Sequence, residues 1–239
     1  LHPQRTALHN ELHARPSLYF NEPAHVFHIA LLDQDEVGSA IIAALPHSAE
    51  QPQPNGSAQG LSQLAGCALK WERHAEFFTL TLVQPKQAGG EFWPALPQAL
   101  QALIEPHQGL IINALQILVE AEQQWQGHSA RYGFKDPAGS HIGGGDATVW
   151  SDFRLCENGL NRILLVNRRL NAYRLGRMIR RLLEIETYRM MASLTLPVAQ
   201  DVDRQLKAYD QQLASLSARN AAPDTSNPKQ LLGDIALKT

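Results

Sequence analysis

The feature that most constrains the fold is a change of hydrophobic pattern at Leu170. Before it, apolar residues come in short runs that alternate with polar residues or fill both faces, as β-strands do. After it, large apolar residues recur at the spacing of one broad helix face, at Leu175, Met178, Ile179, Leu182 and Ile185. The chain is therefore predicted to form an α+β or α/β layered domain. Its mixed or antiparallel sheet is flanked by helices and followed by a long C-terminal helix.

Beyond Pro197 the apolar residues fall at heptad spacing. They stand four, three, four and three residues apart, at Val202, Leu206, Tyr209, Leu213 and Leu216. This spacing is typical of a helix that pairs with another helix, so a helical stalk is predicted over 197–220. The layered domain is predicted over 1–196, with an exposed loop rich in proline and glycine at 46–63. Residues 221–239 are expected to be a linker and the start of a further helix that is cut off.

Local patterns predict the strands of the sheet. Residues His25–Leu32 are apolar on both faces, which indicates an inner strand. Two consecutive strands are predicted at Cys67–Glu72 and Phe77–Val83, the second with apolar residues and threonines in alternation. A hairpin is predicted from a strand at Ala147–Leu155, a turn at Asn158-Gly159 and a second strand at Arg162–Val166.

Two helices are predicted between these strands. Asp33, with Glu36 three residues later, has the pattern of a capping box, which predicts a helix as far as Leu45. A second helix is predicted over Trp93–Ile104, because Pro94 is compatible with a first helical turn.

Composition excludes several classes of protein. The chain has 239 residues, of which 44% are hydrophobic, so it is not a disordered chain. Two cysteines, Cys67 and Cys156, are too few for a disulfide scaffold or a cysteine-rich zinc site. A net charge of -2 excludes a generally basic coat for nucleic acid, so no nucleic-acid partner is expected. No stretch approaches the roughly 18 apolar residues of a membrane-spanning helix.

The first polar cluster is His9, Glu11, His13 and Arg15, in a segment predicted to be helical over 4–14. Two histidines one turn apart can bind one metal ion. A zincin, however, has its glutamate directly after the first histidine, and here the glutamate comes one position later. The pattern therefore favours a polar helix that packs against a neighbour, and no metal site is predicted.

A second cluster lies around the turn at the end of the strand predicted at Cys67–Glu72. It comprises five residues, Trp71, Glu72, Arg73, His74 and Glu76. Such a cluster can hold a ligand or a group that transfers protons. It is equally compatible with ion pairs between strands, which is the interpretation that the sequence favours.

The third cluster follows three consecutive glycines, Gly143 to Gly145, and consists of Trp150, Asp152 and Arg154. Backbone N–H groups of such glycines can bind an anion. Neither a P-loop nor a dinucleotide fold fits, because the glycines are followed by an aspartate and a strand. A tight turn that enters a hairpin is the favoured interpretation.

Seven arginines and two glutamates lie between Arg168 and Arg189, a local net charge of +5. Three of these arginines, Arg174, Arg177 and Arg181, fall on one helix face. They are candidates for contact with an anionic lipid surface. The alternative, which the pattern favours, is a solvated face or one paired with acidic residues.

Four segments together resemble a bacterial family. They are ALHNELHARP (7–16), LKWERHAEFFT (69–79), GGGDATVWSDFR (143–154) and RRLLEIETYRMMASLTLP (180–197), in that order. They resemble the domain-of-unknown-function family 3422, described as predicted membrane-anchored proteins, over essentially the whole chain. The resemblance implies a longer parent protein, with the anchor beyond Thr239. It implies no catalytic residue and no cofactor.

Three functions are consistent with these observations. The leading hypothesis is the non-enzymatic soluble head of a membrane-anchored protein, which forms homo-oligomers through its C-terminal helix. CorA-type magnesium channels also consist of a soluble head, a long helix and a membrane segment. This chain is similar to them in layout alone. The expected location is the bacterial inner membrane, with the soluble part in the cytoplasm. The alternatives are a ligand-binding or hydrolytic enzyme domain that uses the polar clusters, and a surface that binds anionic lipid.

Overall fold

The computed structural model describes residues 2, 3, 5, 17–46, 58–125 and 127–221, with side chains as far as residue 218. It divides into two compact units between Met190 and Met191. The first unit contains the sheet and most of the helix that follows it.

Eight strands of the first unit form one mixed sheet. Their order across the sheet is β2-β3-β4-β1-β5-β8-β7-β6, and every neighbouring pair is antiparallel except β5 and β8. The prediction of a mixed sheet in an α+β fold is therefore confirmed. The strands are β1 Ala24–Leu32, β2 Gln59–Leu64, β3 Cys67–Arg73, β4 Phe77–Pro85, β5 Ile111–Ala121, β6 Ala138–Ile142, β7 Ala147–Ser151 and β8 Asn161–Asn167.

Four α-helices accompany the sheet in the described part of the chain. They are α1 Val37–Ala44, α2 Gln98–Ile104, α3 Ala172–Ser193 and α4 Leu196–Ala221. Short 3-10 segments occupy 105–110, 122–124 and 129–132. The long C-terminal helical region is thus two helices, α3 and α4, and Leu194 and Thr195 lie between them.

Each face of the sheet has its own core. Helices α1 and α2 cover one face, where Phe27, Ile29 and Leu31 of β1 are buried. On the other face, α3 buries Leu175 and Ile179 against strands β1, β5, β7 and β8. The predicted α3 stripe is confirmed at four positions but wrong at Ile185, which is 62% exposed.

Other predictions are corrected at the ends of elements, and the helix predicted over Trp93–Ile104 begins only at Gln98. The exposed loop predicted over 46–63 is shorter, because residues 59–64 pair with β3 as the edge strand β2. The strand predicted at Ala147–Leu155 ends at Ser151, and Phe153 beyond it adopts a left-handed φ of 54°. Phe153 and Leu155 are therefore exposed.

The three glycines form the turn between β6 and β7. Gly143, Gly144 and Gly145 have φ values of 64°, 77° and 90°, which side chains with a Cβ rarely adopt. Asp146, which follows them, lies 3.0 Å from an Arg169 Nη2 and 2.6 Å from an Arg174 Nη2. The predicted tight turn is confirmed, and its aspartate binds arginines of the first unit.

Helix α4, in the second unit, carries an exposed apolar stripe. Its members are between 49% and 67% exposed: Val198, Val202, Leu206, Tyr209 and Leu213. Charged pairs Asp201–Arg204 and Asp203–Lys207, at 3.0 and 2.6 Å, lie along the same helix. Such pairs support an exposed helix by a few tenths of a kcal/mol each.

Candidate functional site

Residues 176–188 of α3 cover a cavity against one face of the sheet, which we call the α3 cavity. Strands β1, β3 and β4 form its floor, and residues 17–20 form one side. Its walls combine apolar side chains with hydroxyl, imidazole and charged groups. The polar members are Ser17, His28, Lys70, Glu72, His74, Thr79, Thr81, Arg180, Glu184, Thr187 and Tyr188.

His28 is at the centre of a buried polar network. Its Nδ1 shares a hydrogen bond of 2.9 Å with Thr81 Oγ1, and its Nε2 shares one of 3.0 Å with Thr187 Oγ1. The Asn113 amide also donates to Thr187 Oγ1, at 3.2 Å. This network joins β1, β4 and β5 to α3, so it fixes the helix over the polar part of the sheet.

The imidazole of His28 is neutral at physiological pH. Burial, together with the positive charge of Lys70, lowers the pKa of His28 to about 3. A neutral imidazole donates one hydrogen bond and accepts one, which matches two flanking hydroxyl groups. His28 therefore contributes polarity to the cavity without charge.

Two ion pairs face the cavity from opposite sides. On the sheet, Lys70 Nζ lies 2.8 Å from Glu72 Oε1, and both side chains are buried. On the helix, Arg180 Nε lies 3.5 Å from Glu184 Oε1, one helical turn away, and both are partly exposed. Each pair brings one cation and one anion to the same cavity.

Aromatic rings and a close backbone approach complete the walls. The His74 ring stacks on Phe77 with centroids 4.0 Å apart, and Tyr188 meets Phe77 edge-on. A Cβ at Gly176 would lie 1.9 Å from the carbonyl oxygen of Leu18, so only glycine lets α3 pass this close to residues 17 and 18.

The cavity is suited to a small polar ligand. About 40 Å³ of it is open to the centres of water molecules, whereas one water requires about 10–15 Å³. Hydroxyl, imidazole and charged side chains line this space, and the Lys70 Nζ itself is buried. The described residues can therefore bind and orient a compound of a few non-hydrogen atoms.

The structure divides the second predicted cluster, at the end of β3, between the two faces of the sheet. Glu72 and His74 line the α3 cavity. Trp71 is buried in the opposite core, and the Arg73 side chain extends to α1, where its Nη2 donates to Ser39 Oγ at 2.9 Å. Glu76 is exposed.

The cluster Trp150, Asp152 and Arg154 lies away from this cavity. Trp150 stacks on Trp125, with ring centroids 5.6 Å apart. Asp152 accepts hydrogen bonds from the backbone N–H groups of Lys135 and Arg154, and the Arg154 side chain is exposed. These contacts stabilise the loop after β7, and none of the three residues lines the α3 cavity.

The three arginines of the predicted stripe have different environments. Arg174 contacts Asp146 and donates to the Gly143 carbonyl at 3.2 Å, and the Arg177 guanidinium lies 5.1 Å from the Tyr173 ring centre. Arg181 is exposed. Pairing with an acidic residue, the alternative that the sequence favoured, is thus observed at Arg174.

The cluster His9, Glu11, His13 and Arg15 lies outside the described residues. Within the described part of the chain, no group of three or more His, Cys, Asp or Glu side chains is arranged to hold a metal ion. The described helices include none that is long and apolar enough to cross a membrane.

Sequence reasoning missed His28, Lys70, Thr81 and Thr187. A histidine inside an apolar strand and threonines at alternate positions were available signals. Their convergence in space could not be predicted, because Thr187 is 159 residues from His28 in the sequence. Thr187 contacts His28 only when α3 packs on the sheet.

The geometry defines the class of protein as an α+β domain with a polar cavity beneath a long helix. Sequence comparison then gives the family: the chain matches DUF3422, described as a protein of unknown function, over residues 1–237, and belongs to that family. No curated protein and no solved structure matches it.

Proposed function

We propose that residues up to 190 form the ligand-binding head of a self-associating, membrane-anchored protein, and that the α3 cavity is its binding site. The observation that carries the proposal is the convergence of two ion pairs and the His28 network on one cavity. Buried polar groups gathered in a concave site are typical of ligand binding.

Binding without turnover fits this cavity better than hydrolysis. A general base works best when its pKa is near the working pH, and the pKa of His28 is about 3. Lys70 and Arg180 each have a carboxylate partner within 4 Å. The cavity is thus equipped to recognise a compound instead of activating a nucleophile.

A blocking substitution tests this proposal. Glu184→Trp places an indole at the partly exposed edge of the cavity. A compound that occupies the cavity at 100 times its Kd stabilises the wild type by about 2.7 kcal/mol, which raises Tm by roughly 5 °C or more. We expect a screen of small metabolites by thermal shift to find such compounds and Glu184→Trp to abolish their effect.

The matched control for this screen is Glu105→Trp, at an exposed position away from the cavity. It should respond to the same compounds as the wild type. If no compound stabilises the wild type, or if every stabilising compound acts equally on Glu184→Trp, the cavity is not a binding site.

A second part of the proposal is self-association through α4. Its exposed stripe has the heptad spacing of a coiled coil, so a second copy of α4 supplies a matching stripe. The proposal also includes membrane attachment of the full-length protein through a segment outside this chain, as the resemblance stated above implies. A CorA-like layout, with the head in the cytoplasm and joined by helices to the inner membrane, is consistent with both ideas.

Acidic substitutions on the stripe test self-association. Leu206→Asp with Leu213→Asp introduces two charges at apolar contact positions, so we expect the native mass of the full-length protein in mild detergent to fall to that of a monomer. Ala208→Asp with Ser215→Asp adds the same charges, also seven residues apart, off the stripe. An oligomer that survives the first pair, or that the second pair dissolves equally, would contradict pairing through α4.

A further inference from the structure

The charged side chains around the α3 cavity are engaged by the protein itself. The buried Lys70 Nζ lies 2.8 Å from Glu72 Oε1, and Arg180 Nε lies 3.5 Å from Glu184 Oε1. All four residues also take part in further interactions. A charged ligand would have to displace one of these partners, which leaves a charge uncompensated in a partly buried site. The wall therefore favours a ligand without charge.

The surface that the cavity offers to a ligand is mostly apolar. Its apolar wall, next to the His28 network, includes the side chains of Phe20, Val83, Ile179 and Leu183. Each methylene group that a ligand buries against such a wall improves its affinity by about fourfold, as long as the volume allows. The space of about 40 Å³ for water centres limits the ligand to a few non-hydrogen atoms.

The His28 network leaves one hydrogen-bond donor unused. A neutral imidazole has one N–H group and one acceptor nitrogen, and the hydroxyls of Thr81 and Thr187 together supply two O–H groups. The hydrogen bonds of 2.9 and 3.0 Å use the imidazole N–H and one of these O–H groups. The Asn113 amide donates to Thr187, so it uses only a lone pair. One O–H group is thus left without an acceptor among the described residues, and both threonines line the cavity.

From these three observations we infer that the ligand of the α3 cavity is a small uncharged compound, with one acceptor oxygen on a short aliphatic frame. The unused threonine O–H group donates to the oxygen, and the carbon atoms lie against the apolar wall. A ketone, aldehyde or alcohol of about three carbon atoms has the matching size and polarity. This inference rests on the proposed ligand-binding function.

Four probes that share one branched frame test the ligand class: acetone, propan-2-ol, acetate and isopropylammonium. The first two are uncharged and carry an acceptor oxygen, whereas the last two are charged at pH 7. NMR titration of the full chain, followed at the methyl signals of Ile179 and Leu183, measures the Kd of each probe. Because an ion loses its hydration in the cavity, we expect both charged probes to bind at least tenfold more weakly than acetone.

A smaller residue in the apolar wall tests the size limit. Ile179→Val removes one methylene group next to the cavity, so a ligand with one more carbon atom gains room. We expect the affinity for butan-2-one relative to acetone to rise about fourfold in this variant. The matched control is Ile163→Val, which makes the same change in the same core at a position that does not line the cavity. It should keep the wild-type ratio.

The outcomes separate the ligand class from the existence of the site. A charged probe that binds as tightly as acetone would overturn the uncharged ligand, as would an unchanged ratio in Ile179→Val. So would a charged metabolite whose stabilising effect Glu184→Trp abolishes, although the site itself would then stand. If no compound of any class binds there, both the inference and the proposed function fail.

Discussion

Lowering the pH from 7 to 5 is expected to reduce the free energy of unfolding of the first unit by about 4 kcal/mol. Two buried histidines are the cause. Burial and the charge of Lys70 lower the pKa of His28 to about 3. Burial and the charge of Lys86 lower the pKa of His25 to about 4, although a backbone hydrogen bond with Glu91 acts in the opposite direction.

The stability falls at low pH because the unfolded state takes up protons that the folded state does not. At pH 5 both histidines stay neutral in the folded chain, but in the unfolded chain, where the pKa is about 6.5, they are protonated. Their stabilising contribution is therefore complete above pH 6.5 and is lost as the pH falls toward 4 and 3. At pH 5 the loss is about 2 kcal/mol for His28 and somewhat less for His25.

Urea unfolding at pH 7 and pH 5 measures this difference. His28→Gln keeps polar atoms for Thr81 and Thr187 but has no titratable group, so the loss between the two pH values should shrink by about 2 kcal/mol. His128→Gln, at an exposed position, should leave it unchanged. A wild type equally stable at both pH values, or a His28→Gln variant with the full loss, would contradict the assignment.

The fold was predictable wherever one segment carried its own pattern. Residues 25–32, apolar on both faces, are an inner strand because both cores meet there. Strand β2 was not predictable, since QGLSQL has no strand pattern and pairs only because β3 offers an edge. The capping box at Asp33 was also wrong: α1 begins at Val37, and Asp33 accepts a hydrogen bond from the Gly38 N–H at 2.8 Å.

The candidate site was predictable only in part, and the reason is the alternation of a strand. Neighbours in sequence such as Trp71 and Glu72 point to opposite faces of β3, so a cluster read along the sequence is divided by the sheet. The groups that do converge come from β1, β3, β4 and α3. Their meeting depends on long-range packing, for which a single sequence contains no local signal.

A buried ion pair on the other face of the sheet gives the largest expected effect of a single substitution. Lys86 Nζ lies 3.5 Å from Glu120 Oε1, and the two side chains are 8% and 2% exposed. Burial raises the pKa of Glu120, while the charges of Lys86 and Arg131 hold it down. The carboxylate thus depends on a nearby cation, and Lys86 is the larger of the two influences.

Lys86→Met is expected to destabilise the first unit by about 3–5 kcal/mol at pH 7, because it leaves the Glu120 charge buried without this partner. Adding Glu120→Leu removes the stranded charge, so the double variant should recover most of the loss. Lys135→Met, at an exposed lysine, should change stability by less than about 0.5 kcal/mol. Urea unfolding of five proteins at pH 7, with Glu120→Leu alone included, measures the coupling. A small loss in Lys86→Met, or a double variant as unstable as the sum of its single changes, would show that the pair is not coupled.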